Sequence, residues 1–158
     1  DHVFHQGDKN GFVYVLIEGL LKAYYLSHDG EETIKSFIQP GELIGSLTSV
    51  YMKETCSFSL VCLQDSSLVQ LDFDEIQRLV QKDLRLANEF IEQLLKFGMK
   101  KEQREKDFLT LSAEQRYQLL METSSSLLES VRQKDIARYL GITPVALSRI
   151  RRRLNSKG

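Results

Sequence analysis

Residues 131–154 read VRQKDIARYLGITPVALSRIRRRL, with four arginines in the five positions from 149 to 153. Ile136, Ala137 and Leu140 fall on one face of a short helix, and Gly141 ends it, because the left-handed residue that closes a helix is least strained as glycine. Thr143 then caps a second helix, and Pro144 takes its first turn, where no amide donor is lost. Leu147, Ile150 and Leu154 form the inward stripe of that helix, while Val145, Ser148, Arg149 and Arg152, at i, i+3, i+4 and i+7, form the opposite one. Arg151 and Arg153 flank the outward stripe. A small residue where two helices cross, a glycine turn and apolar anchors beneath the second helix make the pattern of a helix-turn-helix. A run of arginines alone usually does no more than solvate a helix. Here the glycine, the proline and the segregated stripe agree, and the expected partner is double-stranded DNA, contacted by Gln133, Thr143, Val145, Ser148, Arg149, Arg151, Arg152 and Arg153.

Charge is distributed in keeping with that reading. From residue 131 onward there are eight basic residues against one acidic, Asp135. The chain totals of 21 basic and 22 acidic then leave 13 against 21 for residues 1–130, so a +7 segment is joined to a −8 remainder inside a chain whose net charge is −1. A basic module attached to something acidic is the expected footprint of a nucleic-acid reader with a second domain. At 158 residues the chain has room for one good core or for a medium and a small one. It contains no apolar run of membrane-spanning length and no charged-then-apolar leader, so a cytoplasmic protein with no membrane partner is expected. Because the chain opens on Asp1 in what reads as the middle of a domain, a preceding segment is also expected.

The first 72 or so residues are short β-type runs punctuated by glycine: VYVLI before Glu18-Gly19, LLKAYYL before His28-Asp29-Gly30, TIKSFI before Pro40-Gly41, then LVCL and SLVQL. Turn signals roughly every 8–12 residues indicate an antiparallel sandwich or roll. From Asp74 the period becomes helical. DEIQRLV is a short helix, and Leu84, Ala87, Ile91, Leu94 and Gly98 then follow at spacings of three and four, forming a seam. KKEQREKD, residues 100–107, is polar throughout, so this end of the helix is solvated on all sides or bridges two domains, with a hinge expected near Asp107 and Phe108. Ser112 is placed to cap the helix SAEQRYQLLME.

Enzymatic chemistry finds little footing. His2 and His5 suggest a metal pair, but residues three apart in a strand point to opposite faces, and no third ligand clusters with them. No metal site and no catalytic residue is assigned. The two cysteines, Cys56 and Cys62, are too few for a disulfide framework or a four-thiolate site and are expected to be reduced; lining one strand face as a thiol sensor is the alternative to acting as small hydrophobes. Phosphate-cradling glycine loops and serine-nucleophile motifs are absent.

With these stretches in view, the chain resembles the Crp/Fnr superfamily of bacterial transcription regulators. The resemblance is carried by Gln6-Gly7-Asp8, YVLIEG ending at Gly19, PGELIGSL from Pro40 to Leu47, and DIARYLGITPVALSRIRRRL. It implies an α+β fold, in which an N-terminal antiparallel β-roll of the cyclic-nucleotide-binding type (a double-stranded β-helix or jelly roll, 1–83) is followed by a dimerisation helix (84–107). A helix-turn-helix domain (108–158) completes the fold. The seam from Leu84 to Gly98 becomes the homodimer contact, a palindromic operator becomes the DNA partner, and RNA polymerase becomes a further one. The effector pocket implied by the resemblance comprises Gly41, Glu42, Leu43, Cys56, Ser57 and Met99. In nucleotide-responsive members a glutamate at the position of Glu42 holds ribose and an Arg-Ser pair neutralises the phosphate. Here Cys56-Ser57 stands in place of that pair, and Met99 and Lys100 replace the Thr-Ser pair that meets the base. A buried phosphate without a guanidinium is costly, so the effector is not expected to be cyclic AMP, and its identity stays unknown. With two cysteines in this sequence, the four-cysteine iron-sulfur version is not expected either. Alternatives are a constitutive DNA-binding dimer with a purely structural roll, or a thiol-redox regulator. Little room is left for the usual β-hairpin wing, which is expected to be reduced or absent. Pro144-Val145 replaces the family's common Arg-Glu pair at the start of the reading helix, while Arg149 retains its later arginine.

Overall fold

The run FVYVLIE forms strand β2 (Phe12–Glu18) and LKAYYL forms β3 (Leu21–Leu26). Between them Gly19 sits at φ +103°, and a Cβ there would come within 2.6 Å of Asp65 O, so only glycine lets the chain reverse at this point. The computed structural model describes residues 1–156; Lys157, counted above among the basic residues, lies outside the described residues. The remaining strands are β1 (His2–Phe4), β4 (Glu32–Ile38), β5 (Leu43–Ile44), β6 (Ser59–Cys62) and β7 (Ser67–Asp72). They form a four-stranded sheet in the order β1-β6-β3-β4 and a three-stranded sheet in the order β5-β2-β7, with every pairing antiparallel.

The core follows from the two-residue period of the strands. In β2, Tyr14 and Leu16 turn toward the four-stranded sheet and pack with Phe4, Leu21, Ile38 and Leu60. Val13 points the other way and joins Val50 and Phe73, with Phe90 packed against them. The helices of this region are α1 (Leu47–Val50), α2 (Phe73–Val80) and the N-terminal part of α3 (Leu84–Thr110). Asp72 caps α2 by accepting from Glu75 N at 3.0 Å, while Asp74 and Glu75 in the first turn and Arg78 in the last complement its dipole.

The chain divides into two compact units, Asp1–Lys100 and Lys101–Gly158, and the division falls within α3. That helix runs 27 residues, through the position where a hinge was expected at Asp107 and Phe108. The polar run contains no proline or glycine after Gly98, and Gln103 Nε2 donates to Asp107 Oδ1 at 2.7 Å across one turn, so nothing local interrupts the helix.

The second unit holds α4 (Ala113–Thr123), α5 (Ser125–Ser130), α6 (Gln133–Tyr139) and α7 (Pro144–Asn155). Ser112 caps α4 as expected, in a reciprocal box with Gln115. The link before α6 is not bare: α5 fills it and buries Leu127. Among the described residues this unit contains helices and no strand. The whole is α+β, as the order of sequence periods indicates.

Candidate DNA-reading head and effector loop

The turn between α6 and α7 has the backbone its sequence calls for. Gly141 lies at φ +69°, its N–H donates to Arg138 O at 3.2 Å, and Ile142 N donates to Ala137 O at 3.0 Å, the paired bonds of a Schellman closure. Thr143 Oγ1 accepts from Ala146 N at 3.2 Å, and Pro144 opens α7. Ile136, Ala137, Leu147 and Ile150 are buried beneath the pair. On the opposite side Val145 is 61% exposed, and Ser148, Arg149, Arg151 and Arg152 are exposed with it. Thr143 and Gln133, the first residue of α6, are also at the surface. Arg153 differs from its neighbours: its Nη2 lies 2.8 Å from Glu114 Oε2 at the start of α4, so it is held by a carboxylate of its own unit. The pair is exposed and weak, and it leaves the expected DNA contact of Arg153 in competition with Glu114.

Two arginines that sequence reasoning passed over lie beneath this surface. Arg116 donates through Nη1 to Leu111 O at 2.7 Å and through Nη2 to Leu140 O at 2.9 Å, and Arg104 Nη2 donates to Tyr139 O at 3.0 Å. Burial first, and the charge of Arg104 second, lower the Arg116 pKa from its ordinary value. The only sequence signal was a guanidinium placed next to the buried Tyr117 on α4. The polar end of α3 is therefore not solvated on every side.

The residues assigned to an effector pocket do not converge. Gly41 and Leu43 line a cavity of about 440 Å³ closed by Ile76, Leu79 and Phe90, whereas Glu42 is not on its wall. Glu42 instead meets Lys100: the ammonium donates to Glu42 Oε1 at 2.6 Å and to Phe37 O at 3.4 Å, while Glu42 Oε2 accepts from Gln39 N at 2.9 Å. Both carboxylate oxygens are engaged. Met99, assigned to the pocket, is 67% exposed, because one step along the helix turns it away from the face that carries Lys100. Cys56 is 2% exposed and packs in the core of the roll, and burial pushes its thiol pKa up. Ser57 donates its N–H to Ser46 Oγ at 3.2 Å.

The α3 seam splits into two faces. Phe90 and Phe97 pack on the roll, and Leu94 leans into a small cavity with them. Leu84, Ile91 and Leu95 are 76%, 53% and 60% exposed, and Gly98 is exposed on the same side; Ala87 is half-buried between the faces. Leu95, absent from the sequence assignment, belongs to the exposed stripe. Cys56 precedes β6 and Cys62 ends it, so the two do not share a strand face. His2 and His5 are not turned apart either: their rings stack at 4.1 Å, because β1 ends at Phe4 and the chain bends. No group of three or more metal-ligating side chains occurs among the described residues.

Residues 1–83 match the cyclic nucleotide-binding domain family. The chain belongs to that family, as a regulator of the Crp/Fnr type. It is 28% identical to regulatory protein HlyX of Actinobacillus pleuropneumoniae, over 99% of this chain and 69% of that protein. It is 31% identical to the transcriptional regulatory protein btr of Bordetella pertussis, over 92% of this chain and 64% of that one. The chain thus spans about two thirds of the length of these Crp/Fnr relatives. FixK2 from Bradyrhizobium japonicum has the same fold, with a TM-score of 0.83 at 19% identity, covering 100% of this chain and 81% of its own. These relatives are regulatory proteins by name. No helix among the described residues is long and apolar enough to cross a membrane.

Proposed function

We propose that the chain reads a palindromic operator as a cytoplasmic homodimer and passes the result to RNA polymerase, with the roll (1–83), the helix (84–107) and the head (108–158) as its working parts. The observation that carries the reading is the outward stripe of α7, where Val145, Ser148, Arg149 and Arg152 stand exposed over a buried stripe and a capped N-terminus. Such a helix fits the major groove with its N-terminal residues at the bases. Arg149 reaches a base edge, Val145 offers a methyl contact, Arg151 meets phosphate, and Arg152 takes either role. The α7 N-terminus, with Thr143, is suited to a backbone phosphate. Leu84, Ile91, Leu95 and Gly98 supply the contact between two copies. The roll acts without cyclic AMP, since the two oxygens of Glu42 accept from Lys100 and Gln39 N within the unit and Cys56 stands where the resemblance expects an arginine. A thiol sensor is disfavoured by the burial of Cys56 and its raised pKa. Selection of duplexes from a random library tests the reading. The expected product is an inverted repeat with half-site centres about 10–10.5 base pairs apart, or a multiple of that. Failure to enrich any sequence would reject it.

A further inference from the structure

We propose that Arg116, seconded by Arg104, is the positioning residue of the DNA-reading head: it caps the C-terminal ends of α3 and α6 together and so fixes the turn that aims α7. This rests on the DNA-binding reading above. The need for such a residue is written in the backbone. A helix ends with carbonyls that have no intrahelical donor and carry partial negative charge. α3 ends at Thr110 and α6 at Tyr139, and their ends meet. The Phe108 ring lies against Gly141, where a Cβ would come within 2.8 Å of Cζ and 2.9 Å of Cε2. Two negative helix ends in contact need a cation between them.

Arg116 provides it in a form lysine cannot. Its Nη1 donates to Phe108 O at 3.2 Å and Leu111 O at 2.7 Å, and its Nη2 donates to Leu140 O at 2.9 Å. The guanidinium also stacks on the Phe108 ring, 4.5 Å from its centroid. One planar group thus ties the exit of α3 to the exit of α6. Arg104 repeats the device one residue back on α6, donating to Tyr139 O at 3.0 Å with its Cζ 3.8 Å from the Tyr139 ring. The Arg116 Nε is buried without a hydrogen-bond partner, which means that the fork is oriented by the three carbonyls and the ring at the expense of that donor. Since Leu140 and Gly141 lie three and two residues before the Thr143 cap of α7, the end of α3 and the reading helix behave as one piece. Loosening Arg116 changes the aim of α7 and leaves its base-reading side chains intact.

The test uses the whole chain and the duplex that the wild type selects from a random library, with versions whose half-sites are one base pair closer or further apart. Arg116→Met should weaken binding at the selected spacing by roughly tenfold, on the order of one lost base contact. It should weaken binding at the altered spacings less, so that the spacing preference flattens. The salt slope should be unchanged, because no phosphate contact is removed. Arg116→Lys should not rescue, as one ammonium does not span three carbonyls. If Arg116→Met does not fold, judged by its circular dichroism, Arg104→Met carries the same measurement. Equal losses at every spacing, full rescue by lysine, or no loss would each overturn the inference. A wild type that selects no duplex, or shows no spacing preference, would reject the dimeric DNA-reading function instead.

Discussion

At Gly141 the backbone sits at φ +69°, and the Phe108 ring occupies the space a Cβ would enter. Gly141→Ala therefore combines the left-handed penalty of about 1–2 kcal/mol with displacement of an aromatic ring. Thermal denaturation followed by circular dichroism should show the midpoint falling by roughly 5–10 °C, the shift such a loss produces in a small domain. An unchanged midpoint would mean that the turn relaxes freely. A second residue-scale expectation concerns His2, whose Nε2 lies 2.9 Å from Tyr24 Oη and whose ring stacks on His5. Desolvation first, then the nearby His5, lower the His2 pKa below the ordinary 6.5. Between the lowered value and 6.5 the unfolded chain binds more protons than the folded one, so this contribution to stability is complete above 6.5 and is lost as pH falls through that window. His2→Gln should narrow the difference in melting temperature between about pH 7.5 and 5.5. An identical difference in both proteins would remove His2 from the acid response. Of these two features, the glycine was legible in the sequence, because a Schellman closure is local. The histidine stack was not, because the period-2 argument assumed a strand that continues beyond Phe4.

Helix α7 was legible for the same reason as its turn: cap, proline and two opposed stripes lie within twelve residues. The ion pair of Arg153 with Glu114 was not legible, since the two are distant in sequence. Arg149→Ala should consequently lose about 1–3 kcal/mol on the selected operator and little on scrambled DNA, flattening preference at one base pair per half-site. Arg151→Ala should weaken both duplexes alike and reduce the salt slope by about one phosphate contact. Titrations on both duplexes at several salt concentrations separate the two; equal behaviour of the variants would cancel the division of roles. Helix α3 was only half legible. Apolar residues spaced by three and four describe two overlapping faces, and the sequence does not say which one its own roll covers. Phe90 and Phe97 take the covered face, leaving Leu84, Ile91 and Leu95 outward. Ile91→Asp should shift sedimentation from dimer to monomer at micromolar concentration, whereas a wild type already monomeric there would discard the dimer.

At the scale of the whole molecule, the order of strands then helices is readable because each period is local, while the state of the effector loop is not, because it depends on pairs far apart in the chain. Glu42 and Lys100 are 58 residues apart, and only the folded roll brings the ammonium to 2.6 Å from the carboxylate. The pair is partly exposed and adds little stability of its own. Its consequence lies in occupancy: with Gln39 N on the second oxygen, each carboxylate oxygen already holds a donor with which a ribose hydroxyl would have to compete. Cys56 compounds this, for its side chain is in the core and a guanidinium placed there would be a buried charge. Cys56→Arg is thus expected to destabilise the roll instead of restoring a nucleotide site. Lys100→Met frees one oxygen of Glu42 and still leaves a phosphate without its charge-assisted partner, a deficit of about 1.5–3 kcal/mol. Calorimetry with cyclic AMP should accordingly give no resolvable heat of binding for the wild type, and none for Lys100→Met. Micromolar affinity in the wild type would show that the ion pair opens to admit the nucleotide, and affinity appearing only in Lys100→Met would identify Lys100 as the single barrier and acquit Cys56.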